Sequence, residues 1–496
     1  MEHPVWDAGF HEQLSESDLV SPLHSAVLLQ AILLGTAALV AISGCAAPSH
    51  PPDGASAAGL EPCGQVDVSD GLPIDGSPPL LFKFCMQIAL HDSVGNEKSI
   101  QVMLVSDQKQ DPLKDRRLLV YHPGGPGVSP SAILSRDPPL VDYAAYAVVT
   151  WDGTTASTDR GSCGPASTEF GTSRNAANLA ASAEATATEC RFGYGTDADI
   201  GAVAAAAELD LVRSALGQEN VDMLMISYGT AIGEAYLRLY PSRVARAVLD
   251  APIALEVPWS KRLSWVDLAL RNESSNLVAE CSKSSCAALA SRDVPLTYLQ
   301  VRQAVLDTRP VVGSGSLSLT AVMLDQATEA ALRSVDYWDA YAQAVGDGLA
   351  GDGTALWAMG ESLYFDLDRS VFYRSVCADI DRPSDVTGYV VPADGLIAAY
   401  ASELAPCAWF PHHGVPAIAD APDRPDVLLV TSTRDILAPA NLLLAAPDLV
   451  GMSSTCQTDV AGHTSFRDPD VGGLISRFFR DGDSGAIAEN CASTFR

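Results

Sequence analysis

The stretch Val221-Asp222-Met223-Leu224-Met225-Ile226-Ser227-Tyr228-Gly229-Thr230 decides the fold of this chain. Its first part is a short apolar run of the kind found in strands buried on both faces of a sheet. Residues 231–239 continue with helical character, so Ser227 stands where a strand turns sharply into a helix. A turn of this kind presents the serine hydroxyl at the edge of the sheet, which is typical of a nucleophile.

An aspartate and a histidine follow this serine in chain order. Asp435 comes after the apolar run Val427 to Val430, and His463 lies in the loop Ala461-Gly462-His463-Thr464. A serine hydroxyl becomes a good nucleophile when an imidazole removes its proton, and a carboxylate must orient that imidazole. We therefore predict a catalytic triad of Ser227, His463 and Asp435.

A loop rich in glycine and proline precedes the serine in the sequence. It reads Tyr121-His122-Pro123-Gly124-Gly125-Pro126-Gly127 and follows the apolar run 118–121. Acyl transfer develops an oxyanion that needs two backbone N–H donors, and glycine lets the backbone approach a substrate closely. We expect the amides of Gly125 and Tyr228 to form this oxyanion hole.

Each of these residues also has a purely structural interpretation. Ser227 is in a position to cap a helix, and the glycine loop is compatible with a simple turn. Asp435 has the context of a turn residue, with Asp448 as the alternative carboxylate. His463 is compatible with a solvated loop histidine. The alternative histidines, His412 and His413, precede Asp435 and so break the expected order.

Apolar runs alternate with helical stretches along the chain. The runs are 118–121, 147–151, 221–226, 247–249 and 427–430, and the helical stretches include 200–216 and 231–239. Two β-like runs, 84–89 and 99–105, flank a turn at 92–96 and predict a hairpin. This alternation predicts an α/β protein with a mostly parallel sheet, which together with the motifs indicates the α/β-hydrolase fold.

The chain divides into five segments by composition. Helical, alanine-rich stretches such as 321–335 and 337–349 replace the strand signals in the fourth segment, so we expect it to roof the active site. The predicted segments are a signal peptide with a lipobox at 1–44, a flexible tether at 45–62, a first core part at 63–251, a helical cap at 252–404, and a second core part with the C-terminal segment at 405–496.

Eleven cysteines suit an exported protein. Cys45 ends Ser43-Gly44-Cys45 after an apolar run, which predicts cleavage of a signal peptide and lipid modification of Cys45, and hence membrane association through that lipid. An uncleaved membrane anchor is the alternative, and both place the body outside the cytoplasm. In sequence order, the other ten cysteines suggest the disulfides Cys63–Cys85, Cys163–Cys190, Cys281–Cys286, Cys377–Cys407 and Cys456–Cys491, a connectivity that spacing alone leaves open.

The formal net charge of -30 argues against binding to nucleic acid, whose phosphates need a basic surface. The sequence contains no CxxC pair and no cluster of histidine and cysteine at zinc-binding spacing. We therefore expect neither a metal nor another cofactor.

Several motifs together resemble peptidase family S33, in particular its exported tripeptidyl aminopeptidase-like members. The motifs are Pro123-Gly124-Gly125-Pro126-Gly127, Ile226-Ser227-Tyr228-Gly229-Thr230, Tyr240-Pro241-Ser242-Arg243-Val244, Val248-Leu249-Asp250, Cys407-Ala408-Trp409 and Gly462-His463. The resemblance implies release of short peptides from free amino termini beneath a helical cap. It also implies acidic groups near the cap for the substrate amine, for which Asp379 is the candidate.

The chain departs from the family pattern at two positions. Met225 replaces a glycine two residues before the nucleophile, so its thioether must find room or shift the turn. Asp152-Gly153-Thr154-Thr155 replaces Asp-x-Arg-Gly, which removes an arginine near the site. Three hypotheses follow: a serine exopeptidase acting on peptides, an esterase with the same catalytic device, and a binding lipoprotein with a decayed site.

Overall fold

The computed structural model describes residues 56–57, 59–66, 81–91, 95, 97–114, 116–127, 144–150, 176–191, 200–281, 297–313, 317–362, 368–390, 395–419 and 424–494. All of them belong to one compact unit within Pro48–Arg496. The predicted signal peptide, Cys45 and the Asp152 motif lie outside the described residues. Among the described helices, none has the length and hydropathy needed to cross a bilayer.

The described strands form one mixed sheet with the order β1-β3-β4-β6-β5-β7-β8-β9-β10, and β2 pairs with β3. Their bounds are β1 Ser56–Ala57, β2 Glu61–Val66, β3 Leu81–His91, β4 Glu97–Ser106, β5 Arg117–His122, β6 Ala144–Thr150, β7 Val221–Ile226, β8 Val244–Asp250, β9 Asp426–Ser432 and β10 Ser454–Thr458. The antiparallel pairing of β3 with β4 confirms the predicted hairpin.

The strands from β6 through β5, β7, β8 and β9 to β10 run parallel. Their register brings the carboxyl ends level, since His122 pairs with Met225 and Met225 pairs with Leu249. The loops that follow these strands therefore emerge side by side at one edge of the sheet, where such folds assemble their sites.

Helices cover the sheet and fill the interval between β8 and β9. They are α1 Ala176–Arg191, α2 Ala202–Ala215, α3 Tyr228–Leu239, α4 Trp259–Cys281, α5 Tyr298–Asp307, α6 Ala321–Leu332, α7 Trp338–Leu349, α8 Thr354–Ser362, α9 Arg369–Asp379, α10 Leu396–Glu403, α11 Pro447–Gly451, α12 Pro469–Asp481 and α13 Ser484–Thr494. Helices α6 and α7 correspond to the two stretches predicted in the cap. A short 3-10 helix, Val335–Tyr337, separates them.

The helices between β8 and β9 have a hydrophobic core of their own. Val266, Leu324 and Val345 are buried in this cluster, and so is Ile436, which follows Asp435 in the loop after β9. Burial of apolar area is the main stabilising term in such packing. The same apolar contacts that hold these helices together therefore also fix the loop that carries Asp435.

The segment predicted as a tether is partly ordered. Ser56–Ala57 pairs with Ala89 and Ile88 of β3, and Glu61–Val66 pairs with the first half of that strand. The prediction that flexibility extends to residue 62 is therefore wrong for these two strands. Pairing at a sheet edge uses backbone groups, so a composition poor in apolar residues did not reveal it.

Three of the suggested disulfides are present among the described residues: Cys63–Cys85, Cys377–Cys407 and Cys456–Cys491. Cys190 is also disulfide-bonded. Cys163 and Cys286 lie outside the described residues, so the other two suggested pairs stay predictions. Cys377–Cys407 joins α9 to the 3-10 helix Ala405–Trp409, across the predicted boundary at residue 404.

Candidate active site

Ser227 occupies a strained junction between β7 and α3. Its backbone has φ 53° and ψ -123°, a conformation that a residue with a Cβ rarely adopts. The hydroxyl makes no capping hydrogen bond to the helix, so the interpretation of Ser227 as a helix cap is wrong. Instead the backbone N–H of Ser227 donates to the carbonyl of Asp250 at 2.9 Å, which ties the turn to the neighbouring strand.

Glycines make room around this turn. A Cβ on Gly124 would lie 2.8 Å from Ser227 Cβ, and one on Gly229 would lie 2.8 Å from the carbonyl oxygen of His122. A Cβ on Gly233 would lie 2.9 Å from Met225 Cγ. The thioether of Met225 is therefore accommodated in the core by a glycine of the facing helix.

The structure brings the three predicted triad side chains together. His463 Nε2 lies 2.7 Å from Ser227 Oγ, and His463 Nδ1 lies 2.9 Å and 3.0 Å from the two carboxylate oxygens of Asp435. The alternative carboxylate, Asp448, instead forms an ion pair with Arg238 at 3.3 Å. The arrangement is the geometry in which an oriented imidazole removes a serine proton.

Asp435 is almost fully buried, at 1% exposure. Burial opposes its ionisation, yet the His463 ring and the amides of Ala438 and Leu437 hold the pKa of its carboxyl below the usual value. Those amides donate to Oδ1 at 2.9 Å and 2.8 Å. The carboxylate therefore stays charged and fixed in orientation, as the partner of an imidazolium must.

The loop that carries His463 is held from two sides. On one side, the backbone N–H of His463 donates to the carbonyl of Arg333 at 2.8 Å, next to a bridge between Ser334 and Gly462. On the other side, the buried carboxylate of Asp250 accepts from the amide of Ser465 at 2.9 Å and from that of Phe466 at 2.9 Å. The first contact comes from the predicted cap and the second from β8, so the helices and the sheet both fix the position of the imidazole.

The glycine loop after β5 lies against the nucleophile. His122 is buried, and burial lowers the pKa of its imidazole to about 3, so the ring stays neutral. Its Nδ1 accepts from the amide of Gly124 at 3.1 Å, which fixes the loop where it passes Ser227. Gly125 has φ 103°, which favours glycine, and both Gly125 and Tyr228 line the same cavity as Ser227.

A cavity of about 690 Å³ opens over these groups. Its volume is in the range of pockets for small ligands. Ser227 and His463 lie on its wall, and helices of the predicted cap supply the opposite side. The charged side chains that line it are Arg262, Glu329, Arg333, Asp336, Glu403, Arg467 and Asp468.

Asp379 does not line this cavity, so the prediction that it meets the substrate amine is wrong. Its carboxylate is buried, at 3% exposure, and accepts from the Tyr228 hydroxyl at 2.5 Å and from the Ala202 amide at 2.9 Å. A carboxylate enclosed by its own donors has no face left for a substrate. The acidic residues that do reach the cavity include Glu329 and Glu403.

The sequence analysis quoted His122 and Asp250 within motifs but assigned neither a role in positioning the site. Each ends an apolar strand, in β5 and β8, at the edge where the site lies. The rule that identified the loops after these strands also applies to their last residues. Within the described part of the chain, no group of three histidine, cysteine or acidic side chains could hold a metal ion.

The alpha/beta hydrolase fold family model matches residues 110–468 of this chain, which therefore belongs to that family. The chain is 31% identical to the serine protease Hip1 of Mycobacterium tuberculosis over 117 residues, 22% of this chain and 21% of that protein. It is 42% identical to the tripeptidyl aminopeptidase of Streptomyces lividans over 48 residues, 10% of this chain and 9% of that protein. The match thus spans about a fifth or less of the length of these relatives.

Among solved structures, an esterase from Exiguobacterium antarcticum aligns with 79% of this chain and 99% of its own, at 12% identity and a TM-score of 0.32. The family model and the triad geometry define the class of protein. The chain is a serine hydrolase of the α/β-hydrolase superfamily, with similarity to peptidases.

Gly462→Ala is expected to disturb the histidine loop. Gly462 has φ 103°, and a Cβ there would lie 2.5 Å from the Arg333 carbonyl oxygen, so the loop must move away from Arg333. Small misplacement of a catalytic group lowers rates by about 10- to 100-fold, and the rate of reaction with a fluorophosphonate measures this loss. Gly473→Ala, where a Cβ meets nothing within 4 Å, is the control. Equal rates in both variants would contradict the expectation.

Asp250→Asn is expected to change how stability depends on pH. Burial raises the pKa of the Asp250 carboxyl to about 7, whereas in the unfolded chain it is about 4. The folded protein thus retains a proton that the unfolded chain releases, and this contribution to stability is lost as pH rises toward 7. Between pH 5 and 8 the parent should lose about 2 kcal/mol relative to the variant, measured by chemical unfolding. If the difference in unfolding free energy between parent and variant is the same at pH 5 and at pH 8, this expectation is refuted.

Proposed function

We propose that this protein is a serine exopeptidase that releases short fragments, of about tripeptide size, from free peptide amino termini through an acyl-enzyme. One observation carries the proposal: the Ser227 hydroxyl lies 2.7 Å from an imidazole that a buried carboxylate orients, at the wall of a cavity. The partial similarity to a serine protease and a tripeptidyl aminopeptidase supports the choice of peptides as substrates.

The proposed reaction begins when His463 removes the proton of Ser227 as Oγ attacks the scissile carbonyl carbon. Asp435 stabilises the resulting imidazolium, and the carbonyl oxygen becomes an oxyanion that accepts from the amides of Tyr228 and Gly125. The imidazolium then protonates the leaving amine, which leaves an acyl-enzyme on Ser227. A water molecule, activated by the same imidazole, hydrolyses that ester and restores the serine.

The cavity also supports recognition of a free amino terminus. Glu329 and Glu403 come from α6 and the end of α10, and both line the cavity. Glu329 already pairs with Arg333 at 2.7 Å, which fixes its carboxylate. In our proposal these acidic groups, rather than Asp379, attract the substrate ammonium, because opposite charges attract strongly where water is partly excluded. The enclosing helices would limit the length of the acyl fragment.

Fluorophosphonate labelling tests the catalytic assignment. The parent should be labelled on Ser227, and Ser227→Ala should lose the label because the hydroxyl that His463 activates is removed. Ser264→Ala, an exposed helix serine, should be labelled like the parent. Absence of labelling in the parent would favour the decayed binding lipoprotein.

A panel of substrates tests the specificity. Tripeptidyl anilides with a free amino terminus should be cleaved faster than amino-terminally blocked analogues and than single-residue anilides, and short-chain nitrophenyl esters should serve as the reference. Cleavage of esters alone would contradict the peptidase proposal and favour the esterase.

We further propose that the mature protein acts outside the cytoplasm, held to the membrane by a lipid on Cys45. The disulfides among the described residues support an oxidising compartment. Cys45→Ser should move the protein from the detergent phase to the aqueous phase of a Triton X-114 extract of producing cells. Cys163→Ser removes another cysteine outside the described residues and should leave the partition unchanged. Retention of Cys45→Ser in the detergent phase would contradict the anchor.

A further inference from the structure

A buried hydrogen bond links the predicted cap to the residue that follows the nucleophile. The Tyr228 hydroxyl donates to Asp379 Oδ2 at 2.5 Å, and both side chains are at least 95% buried. Tyr228 is the first residue of α3, whereas Asp379 is the last residue of α9. The bond therefore crosses between two parts of the fold that are separated by 151 residues of sequence.

Asp379 is itself held rigidly. The backbone amide of Ala202 donates to both carboxylate oxygens at 2.9 Å. Gly201, with φ 98°, passes so close that a Cβ there would lie 2.6 Å from Oδ1. Burial raises the pKa of Asp379 to about 7 and raises that of Tyr228 well above its usual value, so the phenol remains a hydrogen-bond donor. The phenol thus bonds to a fixed acceptor.

The opposite end of the same helix contacts the glycine loop, which carries the other proposed oxyanion donor, Gly125. The amide of Asp368, the residue that caps α9, donates to the carbonyl of Gly127 at 2.8 Å. A Cβ on Gly127 would lie 2.4 Å from the Asp368 carbonyl oxygen, so the two backbones are in close contact. Helix α9 therefore contacts the glycine loop at its start and Tyr228 at its end.

We propose that α9 clamps the oxyanion hole, with Asp379 as the positioning residue that fixes the Tyr228 amide through the Tyr228 side chain. The inference rests on the proposed acyl transfer. Because the phenol and the amide belong to one residue, anchoring the ring restricts the direction of the N–H. An oxyanion donor acts only when it is aimed at the place where charge develops. Loss of the anchor should therefore lower kcat more than it changes KM.

The structure offers a matched control pair inside the cap. The hydroxyl of buried Tyr298 donates to the buried carboxylate of Asp325, which also pairs with Arg302. This bond resembles the Tyr228–Asp379 bond in chemistry and burial, but it joins α5 to α6, and neither of its side chains lines the cavity. A tyrosine to phenylalanine change removes one hydroxyl from each pair.

The experiment compares Tyr228→Phe with Tyr298→Phe on a short-chain nitrophenyl ester. We expect kcat to fall by about 10- to 100-fold in Tyr228→Phe with KM within about threefold of the parent, and affinity for a trifluoromethyl ketone to fall in proportion to kcat/KM. Tyr298→Phe should keep kcat and KM within about twofold of the parent's values. Its melting temperature should fall by about as much as that of Tyr228→Phe.

Two variants of Asp379 separate positioning from folding. Asp379→Asn retains an oxygen for the Ala202 amide and an N–H₂ for the phenol oxygen, so it should recover most of the parent's kcat. Asp379→Leu should match Tyr228→Phe. If Tyr228→Phe keeps at least half of the parent's kcat, the clamp proposal is overturned while the proposed function stands. The same holds if Tyr298→Phe loses as much kcat as Tyr228→Phe. A parent that fails to react with fluorophosphonate would overturn the proposed function as well.

Discussion

The strained backbone of Ser227 is the constraint on which the rest of the site depends. A positive φ at a residue with a Cβ costs of the order of 1–3 kcal/mol and persists only where the surroundings enforce it. Here a fully buried strand precedes the serine, a helix follows it, and an amide bond to Asp250 ties it to the next strand. Three glycines supply the space, at positions 124, 229 and 233. The hydroxyl is thereby presented to the imidazole instead of to the helix end.

The helices between β8 and β9 also help to hold the loops of the active site. The backbone carbonyl of Arg333 accepts from His463, the side chain of Asp379 accepts from Tyr228, and the amide of Asp368 donates to Gly127. The helices between β8 and β9 therefore contact the histidine loop, the serine turn and the glycine loop. A roof that only limited access would need none of these bonds. The contacts indicate that these helices and the sheet form the site together.

The sequence predicted those parts of the molecule in which a local signal determines the structure. The apolar runs predicted the parallel strands because strands buried on both faces have that composition. The order of Ser227, Asp435 and His463 along the chain predicted the three side chains that the fold brings together. Asp379 was misplaced because no local pattern distinguishes an acid facing a cavity from one enclosed by distant donors. The partners of Asp379 lie about 150 and 177 residues away in sequence. Contacts of that range depend on tertiary packing.

The most direct test of the central claim is an experimental structure of the protein with a peptide trifluoromethyl ketone. The account predicts a covalent bond from Ser227 Oγ to the ketone carbon, with its oxygen about 2.7–3.1 Å from the amide nitrogens of Tyr228 and Gly125. His463 should remain between that adduct and Asp435. An inhibitor oxygen that points toward solvent, or an inhibitor bound away from Ser227, would contradict the account.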